Sequence, residues 1–280
     1  MCSSPKLTDL DLNGVDTVAV DLETYDPDLK TKGSGAVRGN GFVCGIAIAT
    51  SKQTLYFPLK HVMTDNIPRK KAWDYLNKKL FQNPNIKKVF HNAMYDICWI
   101  RAESGLMPHG PLFDTMVAAS VIDENRMRYS LDALSKDYLK ESKYKYDLQE
   151  KTLAWSQGTI KDPMTNMHNL SYDLVKDYAE QDVNLTLKLW NLFNVRLDRE
   201  ERVEIGTSHE KTKTLRHIFE LETRLFPCLV DMKFKGVRFD VESAEKLGKR
   251  LKKTKTNIVD YIKRRTGVKI EIWAAASIKK

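Results

Sequence analysis

In the run VDTVAVDLET, Asp21 and Glu23 stand two residues apart. Side chains alternate along a strand, so both carboxylates leave one face at its end. Neither has a basic sequence neighbour to pair with, although a turn would use the same two acids. Asp182 is more telling. At about 100° per residue, Leu174, Tyr178, Asp182, Leu185 and Leu189 fall within roughly 80° of one another, which sets Asp182 on the apolar stripe of a helix. A carboxylate there is expensive to bury unless a cation or strong donors receive it, and a neighbouring arginine would serve as well as a metal. Tyr178 lies one turn earlier on the same face. In VFHNAMYDICWI, Asp96 falls one turn into an otherwise apolar helix that Asn92 is placed to cap. Three separated elements, each with an awkward carboxylate, imply one shared sink of positive charge. With oxygen ligands only, that sink is a hard divalent ion, Mg²⁺ or Mn²⁺, and not zinc.

The elements that must position these acids follow from periodicity. Residues 15–23 read as a central strand buried on both faces, and 42–50 and 54–59 as two further strands at hairpin spacing. The Gly-, Asp- and Lys-rich stretch 25–41 reads as a long mobile loop and lacks the G-K-[ST] ending of a phosphate-cradling loop. Helices are expected over 68–81, 95–103, 115–122 with Asp114 as cap, and 131–139 with Ser130 as cap, with a strand at 86–90. Residues 140–169 have no clean period and read as an insertion or long connection. Ser171 then caps a long helix from Tyr172 to about Leu197. The pattern is an α/β domain with a mixed sheet. Two long helices follow over 209–233 and 241–265, Gly236 ending one and Asp240 starting the next, which places a domain boundary near residues 200–208.

Composition sets the class. Of 280 residues, 42% are hydrophobic, enough for an ordinary core. No apolar run suits a membrane span and the polar N-terminus has no secretory pattern, so an intracellular protein without a membrane partner is expected. Cys2, Cys44, Cys98 and Cys228 are scattered and read as buried free thiols. His61, His91, His109, His168, His209 and His217 show no metal-ligand spacing. The net charge of +9 belongs to the tail: from Lys246 to Lys280, twelve Lys and Arg stand against Asp260 and Glu271, while the rest is nearly neutral. That tail suits a phosphate backbone, or is simply a solvated lysine-rich face.

DLET, HNAMYD and YAEQD resemble, in order, the three exonuclease motifs of the DEDD superfamily. Tyr178, four residues before Asp182, resembles the DEDDy branch; a DEDDh member would carry His at 177, which is Asp here. LFDTMVAASVID with SLDALSKDYL looks like the proofreading domain of family A DNA polymerases. FELETRLFPCLVDMKFKGVRFDVE and VKIEIWAAASIKK are similar to the opening of the polymerase region in phage-type members. The resemblance implies a ribonuclease H-like exonuclease domain over 1–205 and a helical segment over 206–280. It implies two metal ions: Asp21, Glu23 and Asp182 hold the first, and Asp21 bridges to a second that Asp96 supports through water. Tyr178 orients the attacking water, since a phenol is a poor base at neutral pH, and Asn92 contacts the terminal nucleotides.

The expected reaction is 3′-to-5′ hydrolysis of single-stranded or frayed DNA ends to nucleoside 5′-monophosphates. No polymerase activity is expected of this chain, because the palm carboxylates and fingers helix do not follow, and a separately encoded polymerase part is a conceivable partner. Phe42, Tyr144, Tyr146 and Trp155 are candidates for base stacking, with core or loop packing as the plainer reading; Lys30, Lys32 and Arg38 are weighed the same way. Two alternatives stand beside this: an RNase D-like exoribonuclease, and a non-catalytic DNA-binding or assembly module built on the basic tail.

Overall fold

The computed structural model describes residues 4–199, 201–202 and 213–274. Strand β1 (Thr17–Tyr25) is central. After two single-turn helices, α1 (Leu29–Lys32) and α2 (Gly35–Arg38), come β2 (Phe42–Ala49), β3 (Thr54–Pro58), helix α3 (Arg69–Leu76), strand β4 (Lys87–Phe90), helix α4 (Ala93–Ser104) and strand β5 (Leu112–Asp114). The sheet order is β3-β2-β1-β4-β5, antiparallel from β3 to β1 and parallel from β1 to β5, which is the expected mixed sheet. Helices α5 (Thr115–Ile122), α6 (Leu131–Leu134), α7 (Lys145–Trp155) and α8 (Tyr172–Arg199) follow. A short β6 (Glu201–Arg202) and β7 (Lys213–Thr214) pair before α9 (Leu215–Arg224), α10 (Phe226–Lys235) and α11 (Val241–Thr266).

The period-2 rule divides β1 between two cores. Val18, Val20 and Leu22 join the cluster that contains Ile97, Trp99 and Ile100 of α4, while Ala19 joins the cluster of α8. On that second face β1 and β2 present Ala19, Ala47 and Ala49, small side chains that let α8 lie close to the sheet. Asp21 and Glu23 continue the Ala19 face and so point toward α8. Helix α8 is also pinned to the sheet edge. Tyr56 N–H of β3 donates to Glu180 Oε1 at 3.2 Å, and Thr54 Oγ1 donates to Asn184 Oδ1 at 2.7 Å. The first bond covers a free N–H of the edge strand, and the two together fix the rotation of α8, with Asp182 turned inward between them.

Opposite Glu23, β2 carries Gly45, where a Cβ would meet the Tyr56 hydroxyl at 2.2 Å. That hydroxyl is held by His61 Nε2 at 2.7 Å, and His61 Nδ1 donates to Leu170 O at 2.9 Å. Burial holds His61 down at about 4, so the ring is neutral and structural.

Several expectations need correction. The stretch 25–41 is not an open loop. Asp26 Oδ2 accepts from Gly35 N at 2.9 Å, and Arg38 pairs with both Asp26 and Asp28, which folds it into α1 and α2. Lys32 pairs with Asp28 as well. Residues 140–169 contain α7 and a 3₁₀ turn, Met167–Asn169. The helix expected over 209–233 is two, because Pro227 in the first turn of α10 has no N–H for the preceding helix; residues 209–212 lie outside the described residues. Cys44 and Cys98 are buried free thiols as expected, but Cys228 is exposed, and Cys2 lies outside the described residues.

The boundary expected at 200–208 falls almost wholly outside the described residues, and by contacts the chain divides into Met1–Phe234 and Lys235–Lys280. In the second unit α11 starts at Asp240, whose Oδ1 accepts from Ser243 N at 2.9 Å, and ends at Gly267 in the left-handed region. None of its residues is buried. Among the described residues no helix is long and apolar enough to cross a membrane.

Candidate active site

Strand β1 outruns β4: their pairing ends at Ala19 with Val89, and beyond it the backbone of β1 needs other partners. Asp96 supplies one, its Oδ1 accepting from Leu22 N at 3.1 Å, and Tyr95 Oη bonds Thr24 Oγ1 at 2.6 Å. These contacts tie α4 to the end of β1, where the strand delivers Asp21 and Glu23. From the other face α8 delivers Asp182. One carboxylate oxygen from each of Asp21, Glu23 and Asp182 lies within 4.8 Å of the others, the only such group of three among the described residues. Asp182 is 3% exposed and Glu23 9%. Asp96, 3% exposed, stands beside this trio rather than in it, engaged by the Leu22 amide and repelled by the Asp21 charge.

The start of α4 is set by a residue of β5. Asp114 accepts from Asn92 N at 3.0 Å and Ala93 N at 2.8 Å, and also caps α5 through Met116 N at 2.7 Å. Capping of α5 by Asp114 was expected; its hold on α4 was not. Asn92 makes no side-chain cap bond, contrary to its expected role. It occupies the left-handed region at φ 68°, which Asn tolerates well, with its side chain exposed.

The electrostatics ask for a cation. Burial, then the Asp182 charge, lift Asp21 to about 7 against the pull of Lys143. Burial and the charges of Asp21 and Asp182 push Glu23 well above the usual carboxylate range, and burial with the Asp21 charge does the same to Asp96. Asp182 is raised by burial, with Lys143 and Tyr178 opposing. Its Oδ1 is buried with no hydrogen-bond partner. A buried carboxylate with one unpartnered oxygen, clustered with two more carboxylates, all hard oxygen donors, fits a divalent ion such as Mg²⁺ or Mn²⁺.

A stability consequence follows. The native protein without metal keeps protons on these acids that the unfolded chain releases above about pH 4, so its stability falls as pH rises from there toward 7. Thermal melts in EDTA should give a lower Tm at pH 8 than at pH 5, and saturating Mg²⁺ should recover most of the difference. A Tm that rises with pH in EDTA would contradict this electrostatic picture.

Tyr178, 6% exposed, lies beside Asp182 as the helix spacing requires, and burial and the Asp182 charge push its phenol well up. It therefore stays protonated and can orient a water but not deprotonate one. Sequence reasoning missed Lys143. Its ammonium pairs with Asp182 and donates to Tyr178 Oη at 3.1 Å. It lies in a lysine-rich stretch without period, 35 residues before Tyr178, and no local signal marks it.

Of the proposed stacking residues, Phe42 packs on Tyr25 and His168 under the Lys60 ammonium. Tyr144 and Trp155 are exposed, and the Tyr146 side chain lies outside the described residues.

A mixed five-stranded sheet with carboxylates at the end of its central strand is a ribonuclease H-like exonuclease fold. NrnC of Brucella melitensis, solved bound to pGG, shares this fold with a TM-score of 0.55 at 20% identity, over 83% of this chain and 92% of that one. The chain belongs to the 3′-5′ exonuclease family of family A polymerase type, whose family model matches residues 6–198. DNA polymerase DpoZ of Acinetobacter phage SH-Ab 15497 is 30% identical over 75% of this chain and 31% of its own length. The DNA-directed DNA polymerase of Pseudomonas phage M6 is 27% identical over 92% of this chain and 37% of its own length. The chain thus spans about a third of the length of these relatives.

Proposed function

We propose that this chain removes nucleotides from the 3′ end of single-stranded or frayed DNA as the proofreading domain of a family A polymerase, using two divalent ions, Mg²⁺ or Mn²⁺. The observation that carries the reading is the trio of Asp21, Glu23 and Asp182 oxygens within 4.8 Å, with Asp182 Oδ1 buried and unpartnered. The family supports nuclease chemistry, and the polymerase names of the phage relatives support DNA as substrate.

Asp21, Glu23 and Asp182 would hold one ion, and Asp21 would share a second with Asp96. Ions bound there would supply Lewis-acid activation of the attacking water and stabilisation of the charge on the leaving 3′ oxygen. Tyr178 orients that water through its protonated hydroxyl, which makes this a DEDDy-type site. Asn92, exposed at the start of α4, would meet the terminal nucleotides.

Digestion of labelled single-stranded DNA and RNA of one sequence, each with Mg²⁺ and with Mn²⁺, tests the substrate. DNA is expected to be degraded at least tenfold faster. Faster RNA digestion would replace this reading with an RNase D-like exoribonuclease.

A further inference from the structure

One cation stands among the carboxylates already. Lys143 pairs with Asp182 through Oδ2, and its side chain is only 19% exposed. Its ammonium donates to Tyr178 Oη at 3.1 Å and lies 5.1 Å from the centre of the Tyr178 ring. The backbone that carries it is anchored to α8, the helix of Tyr178 and Asp182. Gln181 Nε2 donates to Ser142 O at 2.8 Å, and Glu141 pairs with Lys188 at 2.8 Å. Lys143 N–H also reaches Asp132 Oδ1 at 3.5 Å. The stem of a lysine is flexible, so its ammonium can leave the cluster while those anchors hold the backbone.

The two oxygens of Asp182 are in different states. Oδ2 belongs to the ammonium, while Oδ1 is buried and has no partner. A divalent ion received by Oδ1 would lie close to the ammonium in a buried setting, where like charges repel strongly. Both cannot stay at full strength on one carboxylate.

We propose that Lys143 is a resident counter-ion, which offsets the charge of Asp182 in the metal-free protein and which a divalent metal must displace from Asp182. This rests on the metal-site reading above. The same displacement removes the donor from Tyr178 Oη, so metal loading would free that oxygen to accept from the attacking water. Lys143 acts through Asp182 and Tyr178 and is a positioning residue.

Calorimetric titration of Mn²⁺ into the full chain tests this without any activity readout. Wild type, Lys143→Met and Lys143→Arg are compared. K143M, which keeps the apolar stem and loses the charge, is expected to bind Mn²⁺ at least tenfold tighter than wild type, and K143R within threefold of it. Should K143M fold only when Mn²⁺ is present, as judged by circular dichroism with and without the ion, the metal has replaced the counter-ion as proposed. Equal or weaker Mn²⁺ binding by K143M, with wild type binding normally, overturns the counter-ion role and leaves the metal site standing. K143M unfolded under both conditions overturns it too, since Lys143 would then be needed whether or not metal is bound. Absence of Mn²⁺ binding in all three proteins overturns both readings.

Discussion

Asp182→Asn should lower the rate of 3′-end digestion by about 10³-fold or more, because a divalent ion held as proposed would lose ligand charge worth several kcal/mol that an amide does not supply. The fold should survive the change. Asparagine has nearly the same volume, and Lys143 keeps the charges of Asp21 and Glu23 nearby. The substitution also relieves a buried carboxylate of its repulsion with Asp21 and Glu23. Rate and melting temperature therefore separate: activity collapses while Tm moves by only a few degrees. A variant that melts like wild type and digests DNA within tenfold of its rate would remove Asp182 from the machinery.

Asp114→Ala should be the most damaging single change to stability outside the apolar core. This carboxylate is 3% exposed and takes three backbone donors from the first turns of two helices. Charge-assisted bonds contribute about 1.5 to 3 kcal/mol each, and orphaned buried donors add to the loss. Against that stands the burial that raises Asp114's own pKa, so a net loss of about 3 kcal/mol is expected. Urea unfolding followed by circular dichroism measures it. Asp114→Asn, which keeps one acceptor oxygen, should fall between the two. A loss below about 1 kcal/mol in Asp114→Ala would mean that solvent or neighbouring groups take over the caps.

The elements with long, clean periods were legible before the structure. In the nine-residue β1, Val18, Val20 and Leu22 face one core and Ala19 the other, and the 28-residue α8 keeps one stripe inward, so spacing put Asp21 with Glu23 on one face and Asp182 on the stripe. Asp96 was placed by resemblance, and the structure gives it a more local task as well, holding the Leu22 amide where β4 has ended. Single-turn helices such as α1 and α2 are too short to leave a periodic trace: α1 buries nothing, and α2 buries only Gly35 and Ala36, with Asp26 bonded to the Gly35 amide. The double cap by Asp114 and the approach of Lys143 to Asp182 join residues far apart in sequence. Such contacts depend on how connections without period fold back, which composition does not encode.

The most direct test of the central claim is release of label from a 3′-labelled DNA oligonucleotide in Mn²⁺, for wild type and for Asp21→Ala with Glu23→Ala. Wild type is predicted to release nucleoside 5′-monophosphate one residue at a time, and the double variant to release none above background. Equal release by the two proteins would contradict the assignment of the carboxylate site.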